Sequence, residues 1–394
     1  MENLKLKIAL LNESFPPTID GVSNTVYNYA VNLKKNHCDC TVVTPKYPNV
    51  TDDYDFDVYR YQSFDMSQKI GYRIGNVLSP KMLYELKKQH FDILHVHSPF
   101  ASSVIASELL KIGYKMPLVI TYHTKYDVDI EKRINNKAFR KVAMKFLKGN
   151  LNKATEIWSV TGGAVENLRS VGYKGECIVM ENGTDFPKGR ADENKCDEIR
   201  TRFMINPNRP TLLFVGRMMW YKNTKIIFDA LKTLNGDWQL VMVGDGADRP
   251  AMEQYVRDLG MSDRVIFTGA VYDRELVRCF FSIADLFLFP STYDTSGLVV
   301  KEAAACSLPS VLVSGSCAAE GVIHGENGFL CRENSVSMSH ALNNILQHPN
   351  AIKAVGENAS ETVYLSWEDA VARAYSRYCK LATEWDKPLP YQYR

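Results

Sequence analysis

Residues 286–313, LFLFPSTYDTSGLVVKEAAACSLPSVLV, constrain this chain more than any other stretch. A short apolar run, Leu286 to Phe289, stops at Pro290; a polar loop follows, then a helical pattern from near Gly297, then a second apolar run from Pro309. The order is strand, loop, helix, strand, the repeating unit of α/β folds. Such a turn sets the helix N-terminus at the carboxyl edge of a parallel sheet, where ligands of open α/β sheets bind. Unpaired N–H groups around Gly297, Leu298 and Val299 would face an anion there, most commonly phosphate, and Gly297 lets the backbone come close.

Two carboxylates frame the turn, Asp294 in the loop and Glu302 in the second helical turn, with seven residues between them. A carboxylate only accepts hydrogen bonds, and its two oxygens can take both hydroxyls of a vicinal diol. One acid therefore suits a ribose and the other a hexose, a layout that points to a sugar nucleotide.

The same alternation runs through the chain. Residues 7–11, 40–44, 92–97, 118–122, 156–160 and 177–180 read as strands of a first α/β domain, with helical patterns over 22–35 and 101–111. Residues 211–215, 240–243 and 265–268 open a second, with a helix over 252–259. The charged stretch 184–209, punctuated by Pro187, Gly189 and Pro207, carries the crossing, and a helical run begins after Ser366. At 394 residues the chain holds two domains of ordinary size.

Charge and cysteine usage exclude several classes. A formal charge of +2 and the lack of a recognised nucleic-acid module argue against nucleic acid as a partner. No apolar run reaches the roughly 18 residues of a spanning helix, and residues 1–7 lead straight into a strand-like run, so no signal peptide is expected. Nine scattered cysteines, an odd count, read as reduced thiols in a cytoplasmic setting; Cys38 and Cys40 are too isolated for a zinc site.

Individual side chains suggest chemistry. Gly216-Arg217 closes the strand 211–215, and Lys222 follows five residues after the arginine, a rigid fork and a point charge poised to neutralise a diphosphate. Gly21 follows two prolines in a tight loop after the first strand, where the N–H groups near Gly21 and Val22 could approach a phosphate or an acceptor. His95 and His97 share a strand face without further metal ligands nearby and read as structural. His123 stands at a strand end in TYHTKYD, where a parallel sheet presents side chains to its ligand.

Residues 132–153 hold eight Lys or Arg and no Asp or Glu. Phe139, Val142, Ala143, Phe146 and Leu147 fall on one helical face, with Lys137, Arg140, Lys141, Lys145 and Lys148 also in the segment. Two readings stand: a helix dipping into an anionic membrane, or an ordinary helix with solvated lysines. A second basic segment bearing tyrosines, residues 72–88, supports the first.

The acid, seven residues, glutamate pattern and the Gly-Arg and Lys positions resemble the retaining, nucleotide-sugar-dependent glycosyltransferases of family 4. TYHTKYD and the basic helix are similar to those of members that glycosylate diacylglycerol. Asp294 stands where Glu is usual, Ser296 where an aromatic is common and Ser307 where Gly is usual. The resemblance implies a GT-B fold: α/β, two Rossmann-like domains facing across a deep cleft, with a C-terminal helix crossing back to the first. Residues 1–184 with 366–394 would bind the acceptor and 185–365 the donor. His123, Arg217, Lys222 and Asp294 would be catalytic; Gly21, Gly216, Arg217, Lys222, Asp294, Ser296, Gly297, Leu298 and Glu302 would bind the donor.

The resemblance also implies that the diphosphate is handled by backbone N–H groups and basic side chains, so Asp127 and Asp129 are a decoy for a metal motif; no metal or cofactor is expected. The reaction it implies moves a hexose, glucose first, from a UDP-sugar to a lipid hydroxyl such as that of diacylglycerol, with retention, peripherally at the cytoplasmic face of a membrane. The alternatives are a soluble sugar or small-molecule acceptor, and a non-catalytic scaffold.

Overall fold

The computed structural model describes residues 5–18, 20–36, 38–65, 73–113, 115–134 and 136–385. Tyr72 of the second basic segment, the tail 386–394, and the side chains of Lys132 and Arg133 lie outside the described residues. The chain divides into two compact units, Met1–Asn182 with Trp367–Arg394, and Gly183–Ser366.

The first unit contains β1 (Lys7–Leu11), β2 (Asp39–Pro45), β3 (Asp57–Tyr61), the hairpin β4 (Ser63–Asp65) and β5 (Arg73–Gly75), β6 (Ile93–Val96), β7 (Leu118–Tyr122), β8 (Glu156–Ser159) and β9 (Cys177–Val179). Seven of these form one parallel sheet in the order β3-β2-β1-β6-β7-β8-β9. Central strands such as ILHV and LVITY are buried along their whole length, as strands covered by helices on both faces must be. The strand order reverses between β1 and β6, which opens a crevice at their carboxyl ends.

The helix Trp367–Glu384 belongs to this first unit. Trp367 meets Tyr29 edge to face at 6.2 Å, Tyr378 stacks on Trp158 at 5.0 Å, and Arg377 pairs with Glu156 on β8. The Tyr378 hydroxyl lies 2.5 Å from Nδ1 of His95. In the basic segment the expected single helix is broken. Tyr126–Arg133 ends before Asn136, whose side chain accepts from the N–H groups of Ala138 and Phe139 to start Lys137–Leu151.

The second unit contains β10 (Thr211–Val215), β11 (Gln239–Val243), β12 (Val265–Gly269), β13 (Leu286–Phe289), β14 (Ser310–Val313) and β15 (Phe329–Cys331), parallel and in the order β12-β11-β10-β13-β14-β15. Its switch point lies between β10 and β13, so the two loops that sequence marked as functional, after Val215 and after Phe289, emerge side by side.

Candidate active site

The loop after β10 turns through Gly216, at φ 154°, and ends in a short 3-10 turn, Trp220–Lys222. That turn is held by the Trp220 N–H donating to the Asp248 carboxylate at 2.9 Å. It delivers Lys222, 8% exposed, to the loop after β13, where Nζ donates to both oxygens of Asp294 at 2.8 and 2.9 Å. The Ser291 hydroxyl donates to Asp294 Oδ2 at 2.5 Å, and the Lys222 ammonium lies 5.3 Å from the Phe289 ring centroid. From sequence, Lys222 faces the diphosphate and Asp294 is one of two acids set against the sugars, two separate tasks; the structure makes them one charge pair.

The loop then enters the helix Leu298–Ala305 through Gly297, which sits at φ 52° and would place a Cβ 3.0 Å from Ala318 Cα. No side chain caps this helix, whose first N–H groups belong to Leu298 and Val299. Ser296 is half-buried in the same turn. Arg217 is exposed and makes no ion pair among the described residues, which leaves its guanidinium available.

Glu302 is 8% exposed, and burial pushes its pKa up, opposed by the charge of Arg274. The Arg274 Nη2 donates to Glu302 Oε1 at 2.7 Å and to Asp185 Oδ1 at 2.5 Å, with Nε on Asp185 Oδ2 at 2.9 Å. Burial works against the guanidinium's charge, but the two carboxylates more than offset it and raise its pKa. Neither Arg274 nor Asp185 was singled out from sequence. They stand 89 residues apart, and no spacing rule connects them. The nearest signal is local: Asp273 caps the helix that starts at Arg274 and so fixes where that side chain emerges.

In the first unit His123 follows β7 and is 7% exposed. Its Nε2 lies 2.9 Å from Nδ1 of His97, and the two rings stack at 5.2 Å. His95 packs on His97 at 4.0 Å and bonds Thr121 Oγ1 through Nε2 at 2.6 Å. Burial lowers the pKa of all three, that of His123 to about 3, so the cluster is neutral. From sequence His97 reads as structural; the structure joins it to His123, and its Nε2 is buried without a hydrogen-bond partner.

Of the amides expected to be free near Gly21, that of Val22 is already engaged. The Asp20 carboxylate accepts from the N–H groups of Val22 and Ser23 at 2.9 and 2.8 Å, so an anion of the chain's own already fills that helix start. Asp127 accepts from Asn167 and Asp129 from Thr124. On the helix Lys137–Leu151 the apolar face is divided. Leu147 and Leu151 are buried, whereas Phe139, Val142 and Phe146 are 66%, 65% and 45% exposed. Lys137, Lys141 and Lys145 are exposed without ion pairs among the described residues. Arg140 is spent on Glu131 and the Ile134 carbonyl, and Lys148 lies against the Gly172 turn.

Two family profiles match the chain, Glycosyltransferase Family 4 over residues 19–186 and Glycosyl transferases group 1 over residues 196–362. The chain belongs to the family 4 glycosyltransferases of GT-B fold. Over 390 residues it is 23% identical to the alpha-monoglucosyldiacylglycerol synthase of Acholeplasma laidlawii, covering 95% of this chain and 96% of that one. Among solved structures it is similar to a sucrose-phosphate synthase from Thermosynechococcus elongatus, with TM-score 0.78 and 22% identity over 96% of this chain and 99% of the other. It is also similar to Anabaena HepE in complex with UDP and glucose, with TM-score 0.75 and 18% identity over 95% and 100% of the two chains. At those identities the structural likeness speaks to the fold.

Proposed function

We propose that this glycosyltransferase moves a hexose, glucose first, from a UDP-sugar to the hydroxyl of a membrane lipid such as diacylglycerol, with retention and without a metal, while docked on the cytoplasmic face of a membrane. The observation that carries the lipid reading is the exposed stripe Phe139, Val142 and Phe146 beside the unpaired Lys137, Lys141 and Lys145. An apolar stripe next to free ammonium groups suits an anionic bilayer surface, where each lysine contributes about 1 kcal/mol before salt screening. The A. laidlawii relative bears the name of a glucosyldiacylglycerol synthase, and HepE was seen with UDP and glucose, which supports both halves of the reading.

On the donor side the leaving diphosphate needs positive charge more than a strong base. Lys222, the exposed Arg217 and the uncapped amides at Leu298 and Val299 supply it from fixed positions. Neutral His123 can hydrogen-bond a sugar hydroxyl without adding charge. Asp127 and Asp129 hold Asn167 and Thr124, which fits a role in the fold and a reaction run without a metal.

The engagement of Arg140 and Lys148 within the protein favours a second reading, in which the helix Lys137–Leu151 is a solvated cover and the acceptor is a soluble sugar or small alcohol. The test is incubation with radiolabelled UDP-glucose, UDP-galactose and GDP-mannose, with and without diacylglycerol in anionic vesicles. An organic-soluble labelled product that requires diacylglycerol is expected with UDP-glucose. Product only on soluble acceptors selects the second reading. Neither transfer nor hydrolysis, with no nucleotide-sugar binding by calorimetry, makes the donor assignment wrong.

A further inference from the structure

A carboxylate as covered as Glu302 needs a partner, and Arg274 provides one with an unusually fixed geometry. Asp185 holds the guanidinium by two parallel bonds, Nε to Oδ2 and Nη2 to Oδ1, while the guanidinium carbon lies 4.4 Å from the Phe186 ring centroid. The same Nη2 reaches Glu302 Oε1 at 2.7 Å. Three contacts therefore fix the arginine, and the arginine fixes one oxygen of the glutamate. Glu302 Oε2 takes no hydrogen bond among the described residues.

Resting on the donor-site reading above, we infer that Arg274 is a positioning residue for the nucleotide: it holds Oε1 of Glu302 in place, so that Oε2 is aimed to accept the hydroxyls of a ribose cis-diol. An ionised carboxylate only accepts hydrogen bonds, whereas a protonated acid spends one oxygen as a donor, and a rotated one no longer points at the diol. Lysine at position 274 would supply the charge without the fork that ties Asp185 and Glu302 together. The charged and titratable groups around Glu302 include Arg274 and Asp185, the neighbouring Lys301 and, where its helix ends, Cys306 beside Arg278. Burial and Asp185 favour the protonated acid, and Arg274 opposes them.

Titration calorimetry on the full chain tests this, with UDP-glucose, GDP-mannose and their 2′-deoxyribose counterparts as probes. For Arg274→Ala, affinity for UDP-glucose is expected to fall about 10- to 100-fold. The preference for ribose over 2′-deoxyribose should vanish, and the remaining affinity should weaken on acidification at a higher pH than in wild type, because removing Arg274 takes away the charge that opposes protonation of Glu302. Arg274→Lys should restore the wild-type pH profile but not the ribose preference. An unchanged melting temperature separates these effects from misfolding, and half-exposed Arg274 should tolerate truncation. Arg274→Ala binding with the wild-type ribose preference and pH profile overturns the inference. A wild type that binds neither nucleotide sugar overturns the donor-site reading beneath it; because both probes carry ribose, a wrong base alone leaves the deoxy comparison decisive for Arg274.

Discussion

The ammonium of Lys222 is bound to both carboxylate oxygens of Asp294, 72 residues further along the chain, at the point where the second sheet reverses its strand order. Truncation of either partner strands the other in a largely covered site. Lys222→Ala should cut turnover about 100- to 1,000-fold, the range for losing one fixed donor aimed at developing negative charge. The loss in Asp294→Asn should not add to it in the double variant, because the two act as a unit. Initial rates for both single variants and the double one check this; additive losses would mean two independent sites.

Membrane docking should follow the exposed stripe. Changing Lys137, Lys141 and Lys145 to Glu should abolish flotation with anionic vesicles, and Phe139→Ala with Phe146→Ala should weaken it at any salt concentration. Changing Arg140 instead should shift the melting temperature more than the binding, since its guanidinium is spent on Glu131 and Ile134. A wild type that stays at the bottom with anionic vesicles removes the membrane from the account.

Acid should loosen the first unit through its histidines. His95, His97 and His123 are held neutral by burial, with pKa values below the ordinary 6.5. A base whose folded pKa is depressed takes up its proton on unfolding, so the stability is complete above about pH 6.5 and is lost as pH falls below it. Each such histidine contributes a slope of at most about 1.4 kcal/mol per pH unit. Urea midpoints should therefore drop progressively from pH 6.5 to pH 4.5, and His97→Gln should make the decline shallower. A midpoint that stays level down to pH 5 contradicts the neutral cluster.

Gly244→Ala should disrupt the turns beside the lysine. A Cβ there would meet the Gly216 carbonyl oxygen at 2.0 Å, and the backbone sits at φ 136°. The loop bearing Arg217 and Lys222 must then move away from β11. A stability loss of about 2 kcal/mol or more is expected, together with weaker donor binding. Gly236→Ala, with open space around it but also at positive φ, is the control for conformational strain without collision.

The long apolar strands were legible because full burial on both faces writes an unbroken hydrophobic run, as in TLLFV and LVITY. β3, β15 and the β4–β5 hairpin were not, since DVYRY lies at the sheet edge and the others span only three residues each. In the site, residue types were readable and partnerships were not. Lys222 and Asp294 could each be marked as charges near a ligand, but their pairing depends on β10 lying beside β13. The capping of the Val22 amide by Asp20 is legible locally, because an aspartate directly before a helix start is a strong cap signal. Asn136 carried the same signal for the break in the basic segment.

The helix Trp367–Glu384 carries a consequence for the order of synthesis. It brings Tyr378 to His95, Arg377 to Glu156 and Trp367 to Tyr29, all in the unit whose sheet is translated first. While the ribosome makes the intervening stretch Gly183–Ser366, roughly ten to forty seconds at ordinary elongation rates, the nascent first sheet waits with Tyr29 and Trp158 uncovered. A premature stop after Ser366 would leave the second unit's residues whole and still deny the first its cover, so the damage from a late truncation falls on the earliest-made part of the protein.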